Sequence, residues 1–186
     1  MRIITGSARG TKLLTLDGLN TRPTAERTKE AVFSKLQFDL EGRTVLDLFA
    51  GSGQMGLEAL SRGATHAVLC DKAKEAVDII TKNAEKTRLK DRCTILCAAH
   101  SDCLDRLAQT DKRFDIVFLD PPYAFDLLSD TLVQLCSRSL LKRGAQIICE
   151  SGNSDFTIPE SLALVKQSKY GVAYVTILTT KQEENQ

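Results

Sequence analysis

From Arg43 onward, short apolar runs alternate with longer stretches whose apolar positions recur every three or four residues. Apolar runs of this length, closed by charged or turn-forming residues, predict buried parallel strands, and the amphipathic stretches between them predict helices. Strands are expected near Thr44–Phe49, His66–Asp71, Cys93–Ala98, Phe114–Leu119 and Ala145–Glu150. Helices are expected near Gln54–Arg62, Lys74–Arg88, Cys103–Gln109 and Asp126–Leu140. Such alternation gives an α/β fold with a parallel sheet and right-handed crossovers. The end of the chain breaks the rhythm. Ala163–Ser168 and Val172–Thr179 are separated only by Lys169-Tyr170-Gly171, too short for a crossover helix, so this pair is expected to be antiparallel.

The first 43 residues follow a different pattern. Arg2-Ile3-Ile4-Thr5 and Lys12-Leu13-Leu14-Thr15-Leu16 flank a glycine-containing basic loop and predict a hairpin. Thr21-Arg22-Pro23-Thr24 breaks the chain, and Thr24 is placed to cap a helix running to about Phe38, with Thr28, Ala31, Val32 and Leu36 on one face. The expected organisation is an arm over 1–43, a main domain over 44–180 and a polar tail over 181–186.

Charge adds to this division. The formal net charge of the whole chain is only +1, yet residues 1–29 hold six basic and two acidic side chains. A basic arm on a mildly acidic domain is what contact with a polyanion requires. No apolar leader and no run long enough to span a bilayer is seen, which predicts a cytoplasmic protein with no membrane partner. Of the six cysteines, Cys70, Cys97 and Cys149 sit in apolar runs, as reduced thiols acting as small hydrophobes do. Cys93, Cys97 and Cys103 lack a paired C-x2-C arrangement, and His66 and His100 lack ligand spacing, so no metal is expected.

Two motifs carry chemistry. Val45-Leu46-Asp47-Leu48-Phe49-Ala50-Gly51-Ser52-Gly53-Gln54-Met55-Gly56 reads as strand, glycine turn, helix, and Asp71 ends the next strand twenty residues after Gly51. Small residues let a ligand lie against the backbone, and a carboxylate at that place binds ribose hydroxyls. The glycines suit NAD and S-adenosylmethionine (SAM) alike. Asp47 tilts the choice, because a carboxylate beside the turn suits a ligand with an ammonium and a sulfonium better than a pyrophosphate. Asp47 could also simply bond the amides of the turn. Asp102, in His100-Ser101-Asp102-Cys103, is placed either to accept from an adenine amino group or to cap a helix. The second motif is Asp120-Pro121-Pro122-Tyr123, closing the run Phe114–Leu119. It leaves a carboxylate, carbonyls and an aromatic ring at a strand's carboxyl edge, where open α/β sheets bind ligands. An acceptor cluster beside a stacking ring fits a planar group bearing an NH2. The same four residues also describe a plain proline-rich turn.

The chain resembles the bacterial 16S ribosomal RNA guanine-N2 methyltransferases of the RsmD type from Arg2 to about Leu178. The resemblance rests on Arg2-Ile3-Ile4, Arg9-Gly10, Thr21-Arg22-Pro23-Thr24 with Arg27, Glu30-Ala31-Val32-Phe33, Leu46–Gly53, Gly56–Ala64 and Phe118–Tyr123. Glu26 and Ser34 depart from the family's more frequent Asp and Asn. The resemblance implies a Rossmann-like class I methyltransferase fold, with a mostly parallel seven-stranded sheet and an antiparallel last strand. It implies SAM held by Asp47, Phe49, Ala50, Gly51, Ser52, Gly53, Asp71, Lys72, Ser101, Asp102 and Asp120. Asp120, Pro121, Pro122 and Tyr123 would carry catalysis, and Arg9, Lys12, Arg22 and Arg27 would grip RNA phosphates. The implied substrate is one guanine of 16S rRNA, G966 by the family's name, in the small subunit or an assembly intermediate, with a monomeric enzyme. Rivals are a DNA adenine-N6 methyltransferase sharing the Asp-Pro-Pro-Tyr cluster, a protein-glutamine methyltransferase, an NAD-dependent dehydrogenase and a non-catalytic binding module.

Overall fold

The computed structural model describes residues 1–16, 29–34, 36, 40–122 and 125–181. Among these residues one sheet has seven strands: β1 (Thr44–Asp47), β2 (His66–Asp71), β3 (Cys93–Cys97), β4 (Phe114–Leu119), β5 (Leu141–Ser151), β6 (Leu162–Tyr170) and β7 (Ala173–Thr180). Their spatial order is β3-β2-β1-β4-β5-β7-β6. The first five are mutually parallel, and β7 lies antiparallel between β5 and β6. The expected antiparallel end is therefore present, with β6 and β7 turning tightly about Gly171, whose φ is 62°. Residues 29–34 are helical (α1). The further helices are α2 (Gln54–Ser61), α3 (Lys74–Lys86), α4 (His100–Ala108) and α5 (Phe125–Ser137).

The strands alternate between two cores, as a sheet covered on both faces must. Val45, Leu69, Ile116, Phe118 and Ile148 join the first core, which also takes in Leu57 and Leu60 of α2 and Ile80 and Ala84 of α3. Leu46, Val68, Val117, Leu119 and Ile147 join the second, against Leu104 of α4 and Leu132 of α5. Most element ends lie within a residue or two of the sequence expectation, and the largest differences have physical reasons. Strand β5 begins at Leu141 rather than Ala145, because Leu141 pairs with Phe114 before an irregularity resets the register to Ile116–Gln146. Gly144, at φ 72°, supplies the backbone conformation inside that irregularity. Helix α4 starts at His100 instead of Cys103, and α5 stops at Ser137, with Ser139 left-handed at φ 52°. Cys70 and Cys149 are buried as expected, whereas Cys97 is exposed where β3 leaves the sheet.

The amino-terminal segment reverses at 6–10 with a single antiparallel bridge, Arg2–Lys12, so its flanks are extended without forming regular strands. Its docking onto the sheet explains why. Its backbone groups are satisfied by side chains of α2 and α3 rather than by a full ladder. The fully buried Glu58 carboxylate accepts from Ile4 N (2.8 Å) and Thr5 N (3.1 Å). It also pairs with Arg62 Nε (2.7 Å) and the buried Lys29 Nζ (3.5 Å), and Lys29 in turn donates to Arg2 O. Ser61 Oγ accepts from Ala8 N and donates to Thr5 O. Arg62 lies 4.7 Å from the Phe33 ring centroid, and Phe33 meets Phe118 of β4 at 5.7 Å. Ile3, Leu13, Val32, Phe33 and Leu36 belong to the first core. The expected cap at Thr24, and Arg22 and Arg27, lie outside the described residues.

Two stability outcomes follow from this joint. Glu58→Gln leaves Lys29 buried without its counter-charge, and loss of roughly 3 kcal/mol or more is expected in urea unfolding. Gly6 and Gly10 both have positive φ, at 87° and 82°, but only at Gly6 would a Cβ collide with a wall, 1.8 Å from Ser61 O. Gly10→Ala should cost about 1–2 kcal/mol of backbone strain, and Gly6→Ala distinctly more, as read from the two unfolding midpoints.

Candidate functional site

Strand order reverses between β1 and β4, and at such a switch point the carboxyl edge of the sheet opens into a crevice. Alternation along the strands decides which side chains line it. On the first-core face, Asp71 continues Leu69, Asp47 continues Val45, Asp120 continues Phe118 and Glu150 continues Ile148. Register sets these four carboxylates along one face, with Asp71, Asp120 and Glu150 two residues further toward the carboxyl edge than Asp47. Asp47 pairs with Leu69 and with Phe118, and Leu119 pairs with Cys149 immediately before Asp120 and Glu150. One face of the β2-β1-β4-β5 edge thus ends in a row of acids.

Each acid has distinct surroundings. Asp47 is buried, and its Oδ2 accepts from Gly56 N (2.9 Å), an otherwise unpartnered amide in the first turn of α2. Burial raises its pKa to about 7, the Gly56 bond opposes that rise, and the nearby charge of Asp71 adds to it. Asp71 accepts from Gly51 N and Ala73 N (2.9 Å each), tying the glycine turn to the start of α3. Asp120 is open to solvent on one side yet crowded by protein on the others. Desolvation, then the charges of Glu150 and Asp47, push it to about 7. Burial also raises Glu150, which is only partly exposed.

The glycines divide their labour. Gly51 has φ 55° and a Cβ there would meet nothing within 4 Å, so the backbone presents an open cradle. Gly53 and Gly56 serve packing instead: a Cβ on either would press on Leu69, and on Gly53 also on Ile80. Ala50, Ser52 and Gly53 are buried, with Ser52 O accepting from Asn83 Nδ2 (2.9 Å). Phe49 and Ser101 are partly exposed, and Lys72 is exposed. The Phe49 ring stands 5.5 Å from His100, which makes a flat-sided group at the start of α4. Asp102 is not the cap of that helix. Ala99 holds the cap position and Asp102 lies exposed in the first turn, with no hydrogen bond among the described residues. Pro121 and Pro122 follow β4 directly, and Tyr123 lies outside the described residues.

The structure therefore gathers Asp47, Gly51, Asp71 and Asp120 along one edge, flanked by Phe49, Ser101 and Asp102. Among the described arm residues, Arg9 and Lys12 are exposed, while Lys29 is internal. Glu150 was not anticipated. Its signal was present, since Ile147-Ile148-Cys149-Glu150 ends an apolar run in an acid as His66–Asp71 does.

A family model described as conserved hypothetical protein 95 matches residues 1–179. The chain belongs to this family, the RsmD family of methyltransferases. Ribosomal RNA small subunit methyltransferase D of Escherichia coli strain K12 is 35% identical over 177 residues, covering 94% of this chain and 87% of that protein. Its Haemophilus influenzae namesake is 34% identical over 174 residues, covering 92% and 90%. The solved Escherichia coli protein yhhF, described as a candidate methyltransferase, is 31% identical with TM-score 0.87, covering 98% of this chain and 99% of that one. The match of the RsmD family to residues 1–179 takes in the arm, the glycine turn and the acidic row together.

Raised acids make a signed prediction for the ligand-free protein. A carboxyl whose folded pKa lies near 7 contributes stability that is complete below its ordinary value near 4 and is lost as pH rises through 7. Asp120→Asn cannot ionise, so the variant should gain on the parent as pH goes from 5 to 8. Urea midpoints at the two pH values check this, and an equal difference at both would contradict it.

Proposed function

We propose that this chain transfers a methyl group from SAM to the exocyclic N2 of one guanine in 16S rRNA, the position called G966 in the family's name. The coarser part, methyl transfer to ribosomal RNA, rests on family membership and on relatives named for that reaction. The finer part rests chiefly on the acidic row. A pyrophosphate at this edge would bring further negative charge to Asp47, Asp71, Asp120 and Glu150. A ligand with a sulfonium and an ammonium relieves their repulsion instead. The open backbone at Gly51 and the carboxylate of Asp71 beside it fit a nucleoside, as oxygens that each accept one amide retain capacity for ribose hydroxyls. Phe49, Ser101 and Asp102 lie where the adenine would be held.

When bound, SAM supplies an electrophilic methyl group. The residues of the chain do the rest. A guanine N2 lone pair is delocalised into the ring and is a poor nucleophile. Asp120 and the Pro121 carbonyl accept the two N–H bonds, favouring the geometry in which that lone pair faces the methyl. Tyr123 stacks on the purine and fixes the line of attack. Asp120 acts as an orienting acceptor whose charge offsets the positive charge developing on nitrogen, and that charge is dispersed as one of the two N2 protons departs to solvent. A guanine stacked in RNA cannot reach this edge, so the target must be unstacked. Arg9, Lys12, Arg22 and Arg27 hold phosphates and set register without reading sequence.

The deciding experiment is transfer of labelled methyl from SAM to small subunits lacking the modification, beside naked 16S rRNA and duplex DNA, with nucleoside analysis of the product. N2-methylguanosine at one rRNA position is expected; N6-methyladenine in DNA would replace the ribosomal reading. Asp120→Ala should abolish transfer while retaining SAM binding. Neutralising Arg9 and Lys12 together should weaken RNA binding and flatten its salt dependence at unchanged SAM affinity.

A further inference from the structure

Within the acidic row, Glu150 makes none of the hydrogen bonds that hold the glycine turn. Asp71 and Asp47 are committed to backbone amides, and Asp120 is the acceptor for the reacting amino group. Glu150 is partly buried on the same face as Asp120, one strand away, and makes no side-chain hydrogen bond or ion pair among the described residues. A carboxylate partly withdrawn from water, with no described cation or N–H donor beside it, is an acceptor left open at the edge. It also makes Asp120 harder to ionise, so it works against the residue that would orient the amino group.

Resting on the proposed reaction, we infer that Glu150 reads the base: its carboxylate accepts the N1–H of the target guanine while Asp120 accepts from N2. Neighbouring parallel strands stand about 4.8 Å apart, so the two acids can face adjacent donors on one purine edge. Guanine offers there an N1–H beside an N2 amino group. Adenine and cytosine also carry an amino group, but each places a ring-nitrogen lone pair beside it, which would confront the Glu150 carboxylate with an acceptor. The Asp-Pro-Pro-Tyr cluster alone serves any exocyclic amine, and Glu150 narrows it to guanine. Such discrimination is strong because the wrong base leaves a buried acceptor unpaired.

The test separates the amino group from N1–H. A 16S rRNA is ligated with guanine or 2-aminopurine at the target position and assembled into small subunits. 2-Aminopurine keeps the C2 amino group and presents a lone pair at N1. The unaltered enzyme should favour guanine by about 10- to 100-fold in kcat/KM, the scale of one well-made base contact. Glu150→Gln, whose amide both donates and accepts, should shrink that ratio at least tenfold with SAM affinity unchanged. Any effect of the missing O6 is common to both proteins and cancels in the comparison. Should Glu150→Gln fail to bind SAM, the ratio is read on Glu150→Asp, where a shortened acid is expected to lower it as well. An unchanged ratio in a SAM-binding variant overturns the role of Glu150 while leaving the reaction standing. Absence of transfer to guanine by the unaltered enzyme overturns the proposed reaction, and this inference with it.

Discussion

Burial of carboxylates at one edge of the sheet, made costlier by their nearness to one another, is the constraint around which the site is arranged. Strand alternation and register bring Asp71, Asp47, Asp120 and Glu150 to the same face of four adjacent strands, and burial makes the charges of Asp47, Asp120 and Glu150 more expensive than in water. The fold offsets part of this with amide donors: Gly51 and Ala73 for Asp71, and Gly56 for Asp47. No such donor reaches Asp120 or Glu150 among the described residues. On the proposed reading, the remaining cost is relieved by what binds, a cationic methyl donor and the N–H groups of a base. Affinity and chemistry therefore draw on one electrostatic source.

The other end of β4 shows how differently the same residue type behaves. Asp115 is desolvated too, yet Lys142, the backbone and hydroxyl of Thr44, and Arg43 outweigh that and hold it at about 2. One strand thus carries a fully compensated acid at its amino end and an uncompensated acid at its carboxyl end. On this strand, full compensation marks the structural acid, and its absence marks the acid that faces the crevice.

Much of this was legible in the residues. Apolar runs located the central strands, because a strand buried on both faces needs continuous Val, Ile and Leu and little else, while the exposed edge strand β6 was placed by its short connection to β7. Asp47, Gly51, Asp71 and Asp120 were legible because each interrupts an apolar run at a strand end. Glu150 carried the same signal, but no motif drew attention to it. What could not be read was the mode of attachment of the first residues. Glu58, Ser61 and Asn83 look like ordinary polar positions on helices, and only the packed chain shows them turned inward toward backbone groups far away in sequence. Long-range satisfaction of extended backbone has no local pattern to betray it.

Asn83 has the widest consequence of the three. Its side chain accepts from Leu14 N and donates to both Leu14 O and Ser52 O, so one amide clasps the amino-terminal segment and the glycine turn together. On the proposed reading, the segment that bears Arg9 and Lys12 is therefore masonry beside the donor's turn as well as a handle for RNA. Trimming the chain from its first residue would not yield a methyltransferase that has merely lost its grip. It would leave Asn83 holding Ser52 without Leu14 behind it, so the proposed donor and RNA sites share a single wall.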